Sequence, residues 1–259
     1  MKEIKIDISS GKSIFFASDF HLGAPNKAES YERELKIIRW LDSIKSSASA
    51  IFLVGDLFDF WHEYKKVIPK GFIRFQGKLA ELVDAGISLY IFTGNHDMWM
   101  YGYFTEELGI PVLRKPTVVT AGNKRIFVAH GDGLGPGDHQ YKILKKVFDN
   151  SICQWLFRQI HPDLGMRIAN LWSAQSRISS SSDDTAKFLG DGEWLLTYAK
   201  EQETKTHHDF YVFGHRHLPI DVPVSEDSQY INLGEWVNYY TYAEFNGKDF
   251  VLHRFEGNK

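Results

Sequence analysis

A chain of 259 residues with a formal charge of -3, 43% hydrophobic and 24% charged residues is long enough to bury one sizeable α/β core without disulfides, and its balance gives no global pull toward nucleic acid. The N-terminal MKEIKIDISSGKS lacks the apolar stretch of a secretory signal and no run of about 18 apolar residues follows, so the expectation is a cytoplasmic protein that remains able to touch a membrane surface. The single Cys153 sits among apolar residues in an expected helix and reads as a small packing residue rather than a nucleophile.

In chain order, five runs rich in β-branched and aromatic residues each end in a polar cluster: IFFA into SDFH, IFLV into GDLFD, YIFT into GNHD, IFVA into HGD and FYVF into GHRH. Short apolar runs bounded by glycine fit strands buried on both faces. Helix-like segments at 30–46 and 72–86 separate the first three, which predicts βαβ layering. Asn123 after Gly122, and Asn246-Gly247, are hairpin-type turns, so later strands should pair antiparallel and the sheets should be mixed. Between HGD and GHRH the pattern turns helical: Leu144, Val147, Phe148, Ile152, Trp155 and Leu156 recur at helical spacing, with further stripes at 166–172 and 188–199. Residues 138–206 are therefore expected to be a helical insertion, and 1–137 with 207–259 the core. The Ser-rich stretch 178–184 reads as a loop.

Catalytic groups of open α/β sheets gather beyond the carboxyl ends of strands, where loops converge. Asp19, His21, Asp56, Asn95, His130, His215 and His217 all fall there and supply three oxygen and four imidazole donors. That is more than one ion needs. A carboxylate between two cations bridges them, while imidazoles and an amide oxygen complete each shell without adding charge. Asp56 is the candidate bridge. The i, i+2 spacing in Asp19-x-His21 and His215-x-His217 predicts extended backbone that points each pair to one side. His62, His139, His161, His207, His208 and His253 lack such a context and read as surface or structural residues.

Each cluster alone is weak, but SDFH, GDLFD, GNHD, HGD and GHRH in this order resemble the five motifs of the calcineurin-like metallophosphoesterases. The resemblance implies a four-layer αββα sandwich with an inserted helical lid, and two divalent ions. Manganese is the first choice, with iron, zinc or cobalt compatible. It places Asp19, His21, Asp56 and His217 on one ion, and Asp56, Asn95, His130 and His215 on the other. It also makes His96 the group that bonds the phosphate or protonates the leaving group, with Asp97 orienting it.

Three further stretches are similar to the UDP-2,3-diacylglucosamine pyrophosphatase family of the lipid A pathway: GDLFDFW, HGDGL with Asp138 and Tyr141, and GHRHLP. That resemblance implies cleavage of a nucleotide-lipid pyrophosphate to UMP and lipid X at the cytoplasmic membrane surface, with no obligate protein partner. Asn95, His96, Asp138, Tyr141, Trp155 and Trp172 are then expected to contact substrate. Residues 138–177 carry six Lys/Arg against three Asp/Glu, interleaved with aromatics, which suits an anionic lipid. His96 stands where many members of that family have Arg, Arg216 where they often have Thr, and Lys145 and Lys146 where an Arg is expected. The alternative enzyme is a phosphoesterase acting on another small phosphodiester, nucleotide or phosphoprotein. A scaffold that had lost catalysis is the reading from another class, and the complete donor set opposes it.

Overall fold

The computed structural model describes residues 2–8, 11–137, 139–169 and 187–256. Among them, two six-stranded mixed sheets form the centre. The first sheet contains β2 (Ser13–Ala17), β3 (Ala48–Val54), β4 (Ser88–Phe92) and β5 (Val112–Leu113), all parallel, extended by the antiparallel hairpin β11 (Thr241–Phe245) and β12 (Phe250–Arg254). The second runs in the order β1 (Lys2–Ile6), β6 (Thr117–Ala121), β7 (Lys124–Ala129), β8 (Phe210–Phe213), β10 (Gln229–Leu233), β9 (Pro219–Pro223). Both expected hairpins occur: Gly122 turns β6 into β7 with φ +62°, and Asn246-Gly247 joins β11 to β12.

Why these strands tolerate two buried faces follows from their composition. Ile14, Phe16, Phe52 and Val54 of the first sheet meet Val119, Val128, Val212 and Ile231 of the second in one core, while Phe15, Ile51 and Leu53 turn to the other face and pack under helices. A strand that alternates between two apolar neighbours needs the continuous runs the sequence shows.

The outer layer on the first sheet is α1 (Lys27–Ile44) and α2 (Ile73–Asp84). Helix α1 starts before the predicted residue 30 because the Asn26 side chain accepts the N–H groups of Ala28 and Glu29, a cap contributing about 1 kcal/mol. Its Ile37, Trp40, Leu41 and Ile44 are buried, each aliphatic contributing about 1.5–3 kcal/mol.

A short helix, α3 (Tyr103–Glu106), follows β4. After β7 come α4 (His139–Phe148), α5 (Ser151–Arg158) and a helical stretch over 162–169, then α6 (Trp194–Glu203). Within the segment expected as a lid, α6 belongs to the sandwich: Leu195, Leu196 and Ala199 pack on Phe127, Tyr211 and Phe213 of the second sheet. It is the fourth layer, so the insertion that stands apart is shorter than 138–206. Helix α5 buries none of its residues fully, and Cys153 on it is half-buried rather than a core residue.

Candidate metal centre

The five polar clusters converge beyond the ends of β2, β3, β4, β7 and β8. Their loops are laced together by backbone bonds: Asp19 N–H donates to the Gly55 carbonyl, His21 to Asp56, and Gly214 to His130. This lacing overrides the extended backbone expected for the two i, i+2 pairs. Asp19, His21, Asp56, His215 and His217 instead take left-handed φ of 57°, 44°, 52°, 66° and 58°. Each such non-glycine conformation costs of order 1–3 kcal/mol and persists only where the surroundings enforce it. Five in one cluster mark it as built for a purpose other than stability.

Asp19, His21, Asp56 and His217 each offer one donor atom, all within 4.8 Å of one another, and Asp56, His130 and His215 form a second such group. Asp56 stands in both. Asn95 joins the second, its Oδ1 lying 2.9 Å from His215 Nδ1 and 3.3 Å from His130 Nε2. His21, Asp59 and His96 make a third group that shares His21.

The orientation of each donor is fixed from outside. His130 Nδ1 bonds the Val54 carbonyl at 2.8 Å, leaving Nε2 directed inward, 3.4 Å from Asp56 Oδ2. The His96 N–H donates to Asp56 Oδ1 and the His215 N–H to Asp19 Oδ2. The other oxygens, Asp19 Oδ1 and Asp56 Oδ2, are buried without a hydrogen-bond partner among the described residues. Two carboxylates of 0% and 1% exposure with open inward lone pairs are costly unless cations meet them. The donor set fits divalent ions.

The electrostatics agree. Burial works to raise the Asp19 carboxyl, yet the neighbouring imidazoles of His21 and His217 hold it well below the usual range. Burial works to lower His130, and the Asp56 carboxylate nevertheless lifts it to about 10. Proton and metal therefore compete for the same imidazole. Close approach demands two of the glycines: a Cβ on Gly55 would lie 2.6 Å from His130 Nδ1, and one on Gly94 would lie 2.7 Å from the Asp56 nitrogen.

Residues 12–219 match the calcineurin-like phosphoesterase family. The chain belongs to that family. A UDP-2,3-diacylglucosamine hydrolase from Porphyromonas gingivalis is 36% identical over 94% of this chain and 97% of its own length, and one from Pseudomonas aeruginosa 25% identical over 86% and 91%. Among solved structures, vacuolar protein sorting 29 from Cryptosporidium parvum is similar with a TM-score of 0.45 and 12% identity, covering 93% of this chain and 89% of that one. As a member of the calcineurin-like phosphoesterases, the chain is a metal-dependent hydrolase.

In this phosphoesterase His96 lies at the edge of the cluster, its ring 4.9 Å from that of His21. Its Nδ1 is 2.9 Å from the Asp59 carbonyl oxygen. Asp97 was expected to orient it. Asp97 is instead buried and accepts the N–H groups of Gly94 at 2.7 Å and Leu57 at 2.8 Å, joining the GNHD turn to the GDLFD turn. Its spacing made it look catalytic, but adjacency along a turn points successive side chains apart. Asp59, inside the same GDLFD motif, was the overlooked partner.

Beside His96, a cavity of about 320 Å³ runs between the turns after β3 and β4 and the helices α4, α5 and 162–169; it is lined by Phe60, Trp99, Leu144, Phe148, Phe157 and Ile168 as well as Asn95, His96 and Tyr141. Tyr141 also donates its hydroxyl to Asp132 Oδ2 at 2.8 Å. Trp155 does not line this cavity and is 58% exposed. Two residues along a helix is about 200° of rotation, so Phe157 faces inward and Trp155 outward. Asp138 and Trp172 lie outside the described residues.

Position 216 has a structural answer. The Arg216 guanidinium is buried against Glu193, with Nε 3.1 Å from Oε1, which anchors the loop carrying His215 and His217 to the start of α6. Arg33 does the same for the SDFH turn by donating to the His21 carbonyl at 2.8 Å.

Proposed function

We propose that this phosphoesterase hydrolyses the pyrophosphate of UDP-2,3-diacylglucosamine, releasing UMP and 2,3-diacylglucosamine 1-phosphate, lipid X. One observation carries the reading: Asn95 and His96, beside the candidate metal residues, also form part of the wall of the apolar cavity under α4 and α5. A substrate must then present phosphate and hydrocarbon next to each other, as a nucleotide-lipid does and a phosphoprotein or cyclic nucleotide does not. The printed names of the two relatives support the same substrate.

Asp19, His21, Asp56 and His217 would hold one ion, and Asp56, Asn95, His130 and His215 the other, with manganese the first choice from the family resemblance and iron, zinc or cobalt compatible, since a mixed oxygen and imidazole set does not select a metal by affinity alone. When bound, such ions supply Lewis acidity and a nucleophilic hydroxide at neutral pH. The chain's own contribution is placement. His96, held through Nδ1 by the Asp59 carbonyl, would serve the phosphate or the departing oxygen as hydrogen-bond donor or acid. The apolar walls exclude water from the lipid side.

The outward face of the lid carries Ile143, Val147, Ile152, Trp155, Leu156 and Leu164 exposed, with Lys146 exposed among them. No described helix is long and apolar enough to cross a membrane. This face suits peripheral contact with an anionic membrane surface on the cytoplasmic side, where such a substrate resides. Incubation of the Mn²⁺-loaded protein with UDP-2,3-diacylglucosamine tests the proposal: UMP and lipid X in equal amounts are expected, and absence of both would overturn it.

A further inference from the structure

Two cavities meet the candidate metal centre at different residues. The apolar one reaches it at Asn95 and His96. The second, of about 560 Å³, reaches it at His130 and Asp132. Met98 lines both and so stands between them. The second is walled by the turn at Thr93 and Gly94, by Arg114 and Lys115 between β5 and β6, and by Lys145 and Gln154 from the lid helices. Its chemistry differs from the first: three cations, the carboxylates Asp132 and Asp149, an amide and a hydroxyl share the wall with Phe92, Met98, Tyr101 and Leu134.

Resting on the proposed substrate, we infer that this polar cavity receives the nucleotide half, a uridine 5′-monophosphate moiety, while the apolar cavity receives the acyl half. A pyrophosphate joining two unlike halves must lie across the ions with one half on each side, and the two cavities differ in the same sense as the two halves. The volume falls within the range of about 300–1,000 Å³ of small-molecule sites. Of the three cations, Lys115 is the one placed to meet a phosphate-bearing ligand. Lys145 is paired with Asp132 in the wall. Arg114 is fixed by donating to the carbonyls of Met98, at 2.7 Å, and Met100. Lys115 stands exposed beside it, free to meet a ligand without disturbing the core. Ribose hydroxyls and ring carbonyls find donors and acceptors here in Thr93, Lys115 and Gln154.

The test uses the full chain loaded with Mn²⁺. Product inhibition is measured with UMP, ribose 5-phosphate, inorganic phosphate and lipid X, in the wild type and in Lys115→Glu. A charge reversal next to a phosphate-bearing ligand is expected to weaken UMP about tenfold, to raise KM for the nucleotide-lipid with kcat little changed, and to leave lipid X inhibition unaltered. Wild-type affinity should fall from UMP to ribose 5-phosphate to phosphate. As a second measurement, 5-azido-UMP is photolysed on the wild type, and labelling is expected within 111–116 or 142–154. Labelling confined to Phe60, Trp99 or Ile168, or UMP binding no tighter than inorganic phosphate, would overturn the inference. UMP bound and labelled in the polar cavity by a protein that does not turn over UDP-2,3-diacylglucosamine would overturn the substrate proposal instead, and leave the cavity a site for another uridine nucleotide.

Discussion

The Tyr141 hydroxyl lies 2.8 Å from Asp132 Oδ2, and this one bond joins the first helix of the lid to the turn that follows His130. Lys145, one helical turn further on, ion-pairs with the same carboxylate. The wall of the apolar cavity at Tyr141 is thus tied to the metal turn. Tyr141→Phe should keep the ring and lose a bond contributing about 1 kcal/mol. The expected result is a several-fold higher KM for UDP-2,3-diacylglucosamine, with hydrolysis of a small generic phosphodiester unchanged. Equal losses on both substrates would place the role of Tyr141 elsewhere.

Asp56 belongs to both groups of donor atoms, so its removal should affect two ions at once. Asp56→Ala is expected to bind less than half the wild-type metal and to lose about a thousandfold or more in turnover, since the ions contribute several kcal/mol to the transition state. His217→Ala, which touches one group only, should lose less. Metal analysis of the two purified variants beside their rates decides the matter, and full metal content in Asp56→Ala would refute the bridging assignment.

The His96 side chain is separable from its backbone, because it is the backbone N–H that supports Asp56 at 2.9 Å. His96→Ala should therefore keep its metals while losing about 10²–10⁴-fold in turnover, the usual scale for a positioned acid or base. Loss of both ions would show that the imidazole is a ligand, as its grouping with His21 and Asp59 also permits.

Phe157 and Trp155 lie on opposite sides of α5, one in the cavity wall and one exposed. Phe157→Ala should lower kcat/KM on the acylated substrate, by about tenfold if two buried methylenes' worth of contact is lost, and spare UDP-N-acetylglucosamine. Trp155→Ala should leave the rate in detergent unchanged and reduce co-sedimentation with anionic vesicles. The reverse pattern would mean that α5 docks in another rotation.

His62 is buried among Tyr64, Trp99, Tyr101 and Phe157, and neither ring nitrogen has a hydrogen-bond partner among the described residues. Burial, followed by the Arg158 charge, pushes it down to about 4. An unfolded imidazole titrates near 6.5, so between those values the unfolded chain binds a proton that the folded chain refuses. Stability from this residue is fully present above about 6.5 and falls as pH drops toward 4, by at most about 3 kcal/mol. Thermal unfolding of the metal-loaded protein should show a shallower loss over that window in His62→Phe than in the wild type; parallel curves would exclude His62 as the cause.

The sequence determined the chemistry because each donor group follows directly on an apolar run. IFFA, IFLV, YIFT, IFVA and FYVF fit strands buried on both faces, and the parallel pairing of those strands within each sheet carries SDFH, GDLFD, GNHD, HGD and GHRH to one edge of the sandwich. The order of motifs then carried the family. Rotation and partnership within the turns and helices were left for the tertiary structure, because spacing specifies a face only where the backbone is regular. The left-handed φ of Asp19 and His21 goes with cross-loop hydrogen bonds, to Gly55 and Asp56, that no local pattern contains. For that reason Asp97 ties the GNHD turn to the GDLFD turn, and the backbone carbonyl of Asp59 takes the place at His96 that was expected of Asp97. Trp155 and Phe157 are equally apolar, and only the docking of α5 against His62 and Trp99 decided which faces the cavity. Helix α6 likewise has the stripe of a lid helix, yet Phe127 and Phe213 on the open face of the second sheet needed cover, and burial of that face drew it into the core.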